Sequence, residues 1–261
     1  MKFSVVLGCL AVSFLGCSGK EPTPDPYATV SMFCDGWAKA ACTGDVVVAC
    51  SGAEAADNSL TQACLSSQHA FCLTLVPAAG YSSENASQCL SAVQTAYGDG
   101  KLSAREIATV RHRGDPCNHL IKGPQAKGES CDVDDDCDTL NDYLCIVKGG
   151  AGTCQIPTLA ANGDPCTAPE AACNAGYYCD ENCVKSKAVG STCAASFQCA
   201  TGLVCDGDPM KCVAKVSEAN CTKDDDCMLN KVCDIPVGAS TGLCVSSISL
   251  GSTSTICEDL R

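Results

Sequence analysis

Between Val30 and Val110 apolar residues recur every third or fourth position; beyond about residue 128 that spacing stops and cysteines set the rhythm. Val30, Phe33, Trp37 and Ala41 share one face of a helix that Thr29 can cap. Ser59 and Gln62 have capping-box spacing ahead of LTQACLSSQHAFCLTLV, which predicts a second helix. Ala86, Cys89, Leu90, Val93 and Tyr97 mark one face of a third, starting near Ser83. Ser103 and Glu106 form a further capping box before Ile107 and Val110. Cys34, Cys42, Cys50, Cys64, Cys72 and Cys89 stand where they would staple these helices. Residues 28–122 therefore read as a helical, cysteine-rich domain.

The pattern at the beginning of the chain is different. Lys2 precedes an apolar run, Phe3 to Leu15, that is too short for a transmembrane helix and has the form of an export signal. It ends in Phe14-Leu15-Gly16-Cys17, which resembles the bacterial lipoprotein box. That resemblance implies a signal peptide over 1–16, a diacylglycerol thioether on Cys17 and acylation of the new amino terminus. Two or more acyl chains make a stable anchor, each buried methylene adding ~0.8 kcal/mol. Val6-Leu7-Gly8-Cys9 matches too, but leaves too little apolar length ahead of it. An ordinary secretory peptide, cut nearby to leave a soluble product, is the alternative. In the Gram-negative lipoproteins that the box resembles, Ser18 in place of Asp implies the outer membrane, facing the periplasm or the cell exterior. Residues 17–27 form the lipidated tether, in which three prolines favour an extended spacer.

From 128 onward the chain repeats itself. GESC, GDPC and GSTC open units at 128–157, 163–187 and 190–216; a fourth unit, 218–247, lacks the glycine. Each unit holds four cysteines: Cys131, Cys137, Cys145, Cys154; Cys166, Cys173, Cys179, Cys183; Cys193, Cys199, Cys205, Cys212; and Cys221, Cys227, Cys233, Cys244. A period near thirty residues marks a repeat. No unit is large enough for a core, so two bridges must stand in for one, each worth ~2–4 kcal/mol. Four cysteines allow three pairings, and spacing does not choose among them. The G-x-x-C openings, the C-x5-C spacing and the closing C-D…C-V resemble the Dickkopf-type N-terminal cysteine-rich repeat and the cysteine-rich repeat lipoproteins of myxobacteria. That resemblance implies pairing of the first cysteine with the third and the second with the fourth: Cys131–Cys145, Cys137–Cys154, Cys166–Cys179, Cys173–Cys183, Cys193–Cys205, Cys199–Cys212, Cys221–Cys233 and Cys227–Cys244. It carries no activity with it. The expected fold class is thus small disulfide-rich modules in tandem after an α-helical disulfide-stapled domain, with little regular β beyond short hairpins.

Composition sharpens this. With 26 cysteines in 261 residues and 5% aromatics, the chain belongs with disulfide scaffolds, which persist only in oxidising compartments. Removing Cys9 with the signal and acylating Cys17 leaves 26 − 2 = 24 cysteines. The repeats use sixteen, seven including Cys117 lie in the helical part, and Cys257 stands alone in the tail, 248–261. This parity favours a clasp from Cys257 to Cys117, or to another helical-domain cysteine. The rival is that GDPC at 114–117 belongs to the first unit and shifts the frame.

A net charge of −13 argues against nucleic acid. Asp132, Asp134, Asp136 and Asp138 alternate as in an EF-hand loop, but the glycine and glutamate positions hold Cys137 and Tyr143. CTKDDDC at 221–227 repeats the motif, so the acids read as turn residues. In TAYGDGKLSARE, Asp99, Gly100, Leu102 and Glu106 fit a calcium loop whose first acids are missing; a helix–helix turn is the simpler reading. No CxxC pair occurs, and His69, His112 and His119 are the only histidines, so no zinc site or cofactor is expected. No nucleophile motif occurs either, and the chain reads as non-enzymatic. Arg105, Arg111 and Arg113 surround His112; they suit an anionic partner or simply a helix C-terminus. The N-x-S/T sites at Asn85 and Asn220 matter only in a eukaryote. The expected role is a membrane-anchored envelope protein presenting a rigid surface to a protein or envelope partner. The alternative is an inhibitor or antagonist acting through a loop such as 205–212 or 237–243.

Overall fold

A computed structural model describes residues 24–261 apart from 149, 169, 215–219, 228–229, 259 and 261. The export signal, Cys9, Cys17 and most of the tether lie outside the described residues. The described chain is a disulfide-rich protein of five helices and many short strand pairs. All 24 cysteines from Cys34 to Cys257 are bridged, in twelve disulfides.

Helix α1 (Val30–Ala41) starts where the Thr29 side chain accepts a hydrogen bond from the Met32 N–H, and buries Val30, Phe33, Trp37 and Ala41. A second helix, α2 (Gly44–Ser51), was not apparent from the sequence, because its VVVA run has neither helical periodicity nor good propensity. Thr43 caps its start and Gly52, in the left-handed region, ends it. Helix α3 (Asn58–Leu75) begins earlier than the Ser59–Gln62 spacing suggests: Asp57 is its cap, accepting the Leu60 N–H at 2.7 Å. Helix α4 (Ala86–Gly98) buries the expected face, Ala86, Cys89, Leu90, Val93 and Tyr97. Helix α5 (Ala104–His112) carries the full Ser103–Glu106 capping box.

Helix α1 packs on both α3 and α4. At the centre Trp37 is fully buried, and its indole N–H donates to Oε1 of buried Gln68 at 3.2 Å, which satisfies both polar groups. Cys34–Cys72 and Cys42–Cys64 join α1 and the residue after it to α3, and Cys89–Cys117 ties α4 to the segment after α5. Cys257 bonds Cys50 of α2, so the clasp is real but the Cys117–Cys257 pairing is not. Cys117 is spent on Cys89, which also removes the frame that would place it in the first unit.

The chain end is built into this helical core. Ser247–Ser249 pairs antiparallel with Lys101–Ser103, so GDGKLS runs into a strand and is not only a helix–helix turn. In that register Leu102 faces Ile248, and both are buried in one cluster with Ile256, Cys257 and Leu260. Val232 joins the same cluster, which seats the last four-cysteine stretch against the helices.

Beyond residue 128 the recurring element is a two-stranded hairpin: Leu144–Lys148 with Ala151–Gln155, Tyr177–Asp180 with Asn182–Lys185, Leu203–Asp206 with Lys211–Ala214, and Val232–Asp234 with Leu243–Val245. In each the third cysteine stands opposite the fourth, and both reach out of the hairpin. The third bonds the first (Cys131–Cys145, Cys166–Cys179, Cys193–Cys205, Cys221–Cys233). The fourth bonds the second (Cys137–Cys154, Cys173–Cys183, Cys199–Cys212, Cys227–Cys244).

The opening glycine has a backbone reason. Gly128, Gly163 and Gly190 sit at φ of 84°, 87° and 81°, a region that side chains disfavour. From there each donates its N–H to the carbonyl of the fourth cysteine, Cys154, Cys183 or Cys212, at 2.7–2.8 Å. The fourth cysteine's N–H returns to the carbonyl just after the glycine, on Glu129, Asp164 or Ser191. At Cys221 a different closure operates, with Cys221 and Gly242 exchanging both backbone hydrogen bonds.

Candidate functional site

The aspartate turns are the strongest chemical signal in the chain, and the structure gives the first and third aspartate of each a backbone partner. Asp134–Asp136 and Asp224–Asp226 form single 3-10 turns ahead of the second cysteine. Asp136 Oδ2 accepts the N–H groups of Asp132 (2.8 Å) and Val133 (3.1 Å). Asp226 Oδ2 does the same for Thr222 (2.8 Å) and Lys223 (3.2 Å), and takes the Thr222 hydroxyl as well. These donors stabilise the ionised form and hold both carboxyls below the ordinary aspartate value. Asp134 and Asp224 reach the other way, each accepting the N–H of the third cysteine, Cys145 or Cys233, at 2.8 Å.

The third unit fills the same two positions without a charge. Gln198 Oε1 accepts from Ala194 N–H at 2.9 Å and Ser196 Oγ from Cys205 N–H at 3.1 Å. A side-chain oxygen at these two positions, charged or neutral, locks the turn before the second cysteine. The other EF-hand-like stretch resolves similarly. Asp99 Oδ1 accepts the Lys101 N–H at 2.9 Å, and Glu106 Oε2 accepts the Ser103 N–H at 2.8 Å.

Within each unit the first, second and fourth sulfurs crowd together, as at Cys131, Cys137 and Cys154, all within 4.8 Å. Both ends of every such group are in disulfides, which have no thiolate to offer a metal.

The basic cluster is the site that sequence reasoning undervalued. Arg111 Nη2 donates to the Thr255 carbonyl at 3.0 Å, holding the chain end. Arg113, at φ 51° as the cap of α5, turns inward. Its Nη1 donates to the Leu75 carbonyl at the end of α3, and its Nη2 pairs with Asp135 of the first unit. Arg105 keeps an exposed position, paired with exposed Asp115 at 3.0 Å, and His112 is exposed as well. His119 adds to the same junction, its Nδ1 lying 2.9 Å from the Thr139 carbonyl. The cluster therefore joins three stretches of the chain. What places Arg113 is its left-handed backbone as the cap of α5, a feature of the fold that the residue types alone do not reveal.

His69 meets Ser31 Oγ at 3.4 Å and Asp35 Oδ1 at 3.5 Å, a Ser, His and Asp in one place. Both contacts fall on Nε2, whereas a nucleophilic relay needs the base and its orienting acid on different ring nitrogens. The grouping is a polar surface contact between α1 and α3. Asn85, a possible glycan acceptor, donates its Nδ2 to the His119 carbonyl instead.

Large apolar side chains are distributed unevenly over the surface. Among the described residues, twelve are exposed, and ten of these lie between 128 and 245; only Met32 and Leu73 belong to the helical part. Phe197 is 65% exposed and packs edge-on to Tyr178, its neighbour in the preceding unit, with ring centroids 6.0 Å apart. Leu159 is 71% and Val189 67% exposed.

Fold and site together define a disulfide-rich protein of helices and short hairpins in which Asp134, Asp136, Asp224, Asp226, Arg111 and Arg113 hold backbone or cross-chain contacts. Comparison with protein-family models, curated proteins and solved structures finds no match. No helix among the described residues is long and apolar enough to cross a membrane.

Proposed function

We propose that this chain is a non-catalytic envelope lipoprotein, anchored through Cys17 to the outer membrane, whose four tandem cysteine-rich units present a rigid apolar surface to a protein partner. The observation that carries the reading is the outward placement of ten large apolar side chains on the part of the chain whose interior is sulfur. Units that bury cystine have no core in which to hide Leu159 or Phe197, and the bridges fix where those side chains stand.

Three features support the tandem arrangement. Every unit has its own two bridges and its own hairpin. The segment entering each of the first three units makes a parallel backbone contact at or beside its second cysteine: Gln125 with Cys137, Ala160 with Cys173, Lys187 with Cys199. The offsets are 12, 13 and 12 residues, the extra one matching the longer Cys166–Cys173 spacing. The anchor is supported by Leu15-Gly16-Cys17 and the proline tether.

The test is a photo-crosslinking residue placed at Phe197, at Leu159 and at Leu73 in cells. One defined protein partner crosslinked from Phe197 and Leu159, with none from Leu73, is expected. Equal labelling from all three, or labelled palmitate that fails to join the wild type or joins Cys17→Ser equally well, would sink the reading.

A second reading, an inhibitor acting through an inter-cysteine loop, is favoured by Met210, 44% exposed between Cys205 and Cys212. Cleavage or blockade of one protease, abolished by Met210→Asp alone, would favour it.

A further inference from the structure

A cavity of about 290 Å³ lies between α2, the first turns of α3 and the chain end. Val46 and Val47 line it from α2, Leu60 and Ala63 from α3, and Leu260 from the last residues. The walls are interior: Val46, Val47 and Leu260 are 2%, 4% and 3% exposed. Ala63 is exposed and Leu60 half-buried, which places the mouth on the α3 side.

Among the described residues the lining contains no charged side chain, and its one hydroxyl is engaged. Ser51 Oγ donates to the Val48 carbonyl at 3.4 Å and accepts the Ala53 N–H at 3.2 Å. An occupant would find no free polar group inside, so its buried part must be hydrocarbon. The cavity also cannot close by sliding its walls together. Cys42–Cys64 fixes α3 beside the start of α2, and Cys50–Cys257 fixes the chain end to α2.

Size narrows the class. An engineered apolar cavity of ~150 Å³ stays dry and takes up benzene, and a water-sized group occupies roughly 30 Å³ in liquid. The space here is about twice that engineered cavity, room for an unbranched stretch of about ten carbons. We propose that this cavity binds a single acyl or alkyl chain, with its polar end left in solvent beside Ala63. The site is separate from the apolar surface of the cysteine-rich units.

The experiment uses the full-length chain exported with Cys17→Ser and purified without detergent. N-phenyl-1-naphthylamine fluorescence reports occupancy, and decan-1-ol is the competitor. The expected result is one saturable site per chain, emptied by decan-1-ol. Ala63→Phe, which plugs the mouth from an exposed position, should weaken binding at least tenfold while the unreduced mass still shows twelve bridges. Leu73→Ser, at the far end of α3, should leave binding unchanged. Absence of saturable binding overturns the proposal, and so does equal loss, or no loss, in the two variants.

Discussion

The helical part holds seven of the bridged cysteines and the cysteine-rich part sixteen, and the two regions use them differently. In residues 30–121 bridges reinforce a core that already contains Phe33, Trp37, Val93, Leu102 and Ile121, all buried. In residues 131–244 the clusters that pass for cores are the cystines themselves, with Tyr143, Leu203 or Ile235 packed at the edge. Remove the sulfur from the first region and a hydrophobic interior remains. Remove it from the second and little is left to offset chain entropy. The difference explains why large apolar side chains face solvent more often in the cysteine-rich region than in the helical one.

Breaking a bridge should separate the regions most sharply. Cys137→Ala with Cys154→Ala opens a loop of separation 17, a loss of about 3 kcal/mol that the unit cannot absorb. Residues 128–157 should then be cut rapidly in limited proteolysis. The matching pair Cys42→Ala and Cys64→Ala opens a comparable loop of separation 22, yet α1–α5 should remain folded, with unchanged helical circular dichroism.

Trp37→Ala tests the other side. It removes the largest buried side chain and the indole donor to Gln68 Oε1, at a cost of about 3–5 kcal/mol in urea unfolding followed by helical signal. The spacing of protease sites beyond 157 should not change. Cys50→Ala with Cys257→Ala should free residues 247–260 for amide exchange, while the Leu102–Ile248 pairing retains part of the protection.

The smallest effect belongs to the aspartate locks. Backbone N–H donors lower the pKa of Asp136 and Asp226 in the fold, so their contribution is complete above the ordinary value of 3.8 and disappears as pH falls through the lower folded value. Acidification below about pH 4 should therefore loosen the first and fourth units ahead of the third, where Gln198 does not titrate. Amide exchange at Val133, Lys223 and Ala194 reads this directly. Calcium at neutral pH should alter none of the three.

Much of this was legible before any coordinates. The buried face of α1 follows from Val30, Phe33, Trp37 and Ala41, because helical spacing and burial are tied by geometry. The G-x-x-C opening marked a repeat, although its cause, a left-handed glycine bonding to the fourth cysteine, needed the backbone. Parity favoured a helical-domain partner for Cys257 over a shifted repeat frame, named Cys117 first, and could not choose Cys50. Which sulfur is nearest depends on how α2 packs against the chain end, and α2 left no periodic trace in VVVA. The arginines show the same boundary, since a residue 144 positions away supplies the partner of Arg111.

The central claim, that cystine substitutes for a core in one region and supplements it in the other, is tested by amide exchange measured with and without reductant at neutral pH. Under full reduction, residues 131–244 should exchange as an unfolded chain while buried amides of α1, α3 and α4 stay slowed. Loss of protection in both regions together, or units that stay protected without their bridges, would contradict it.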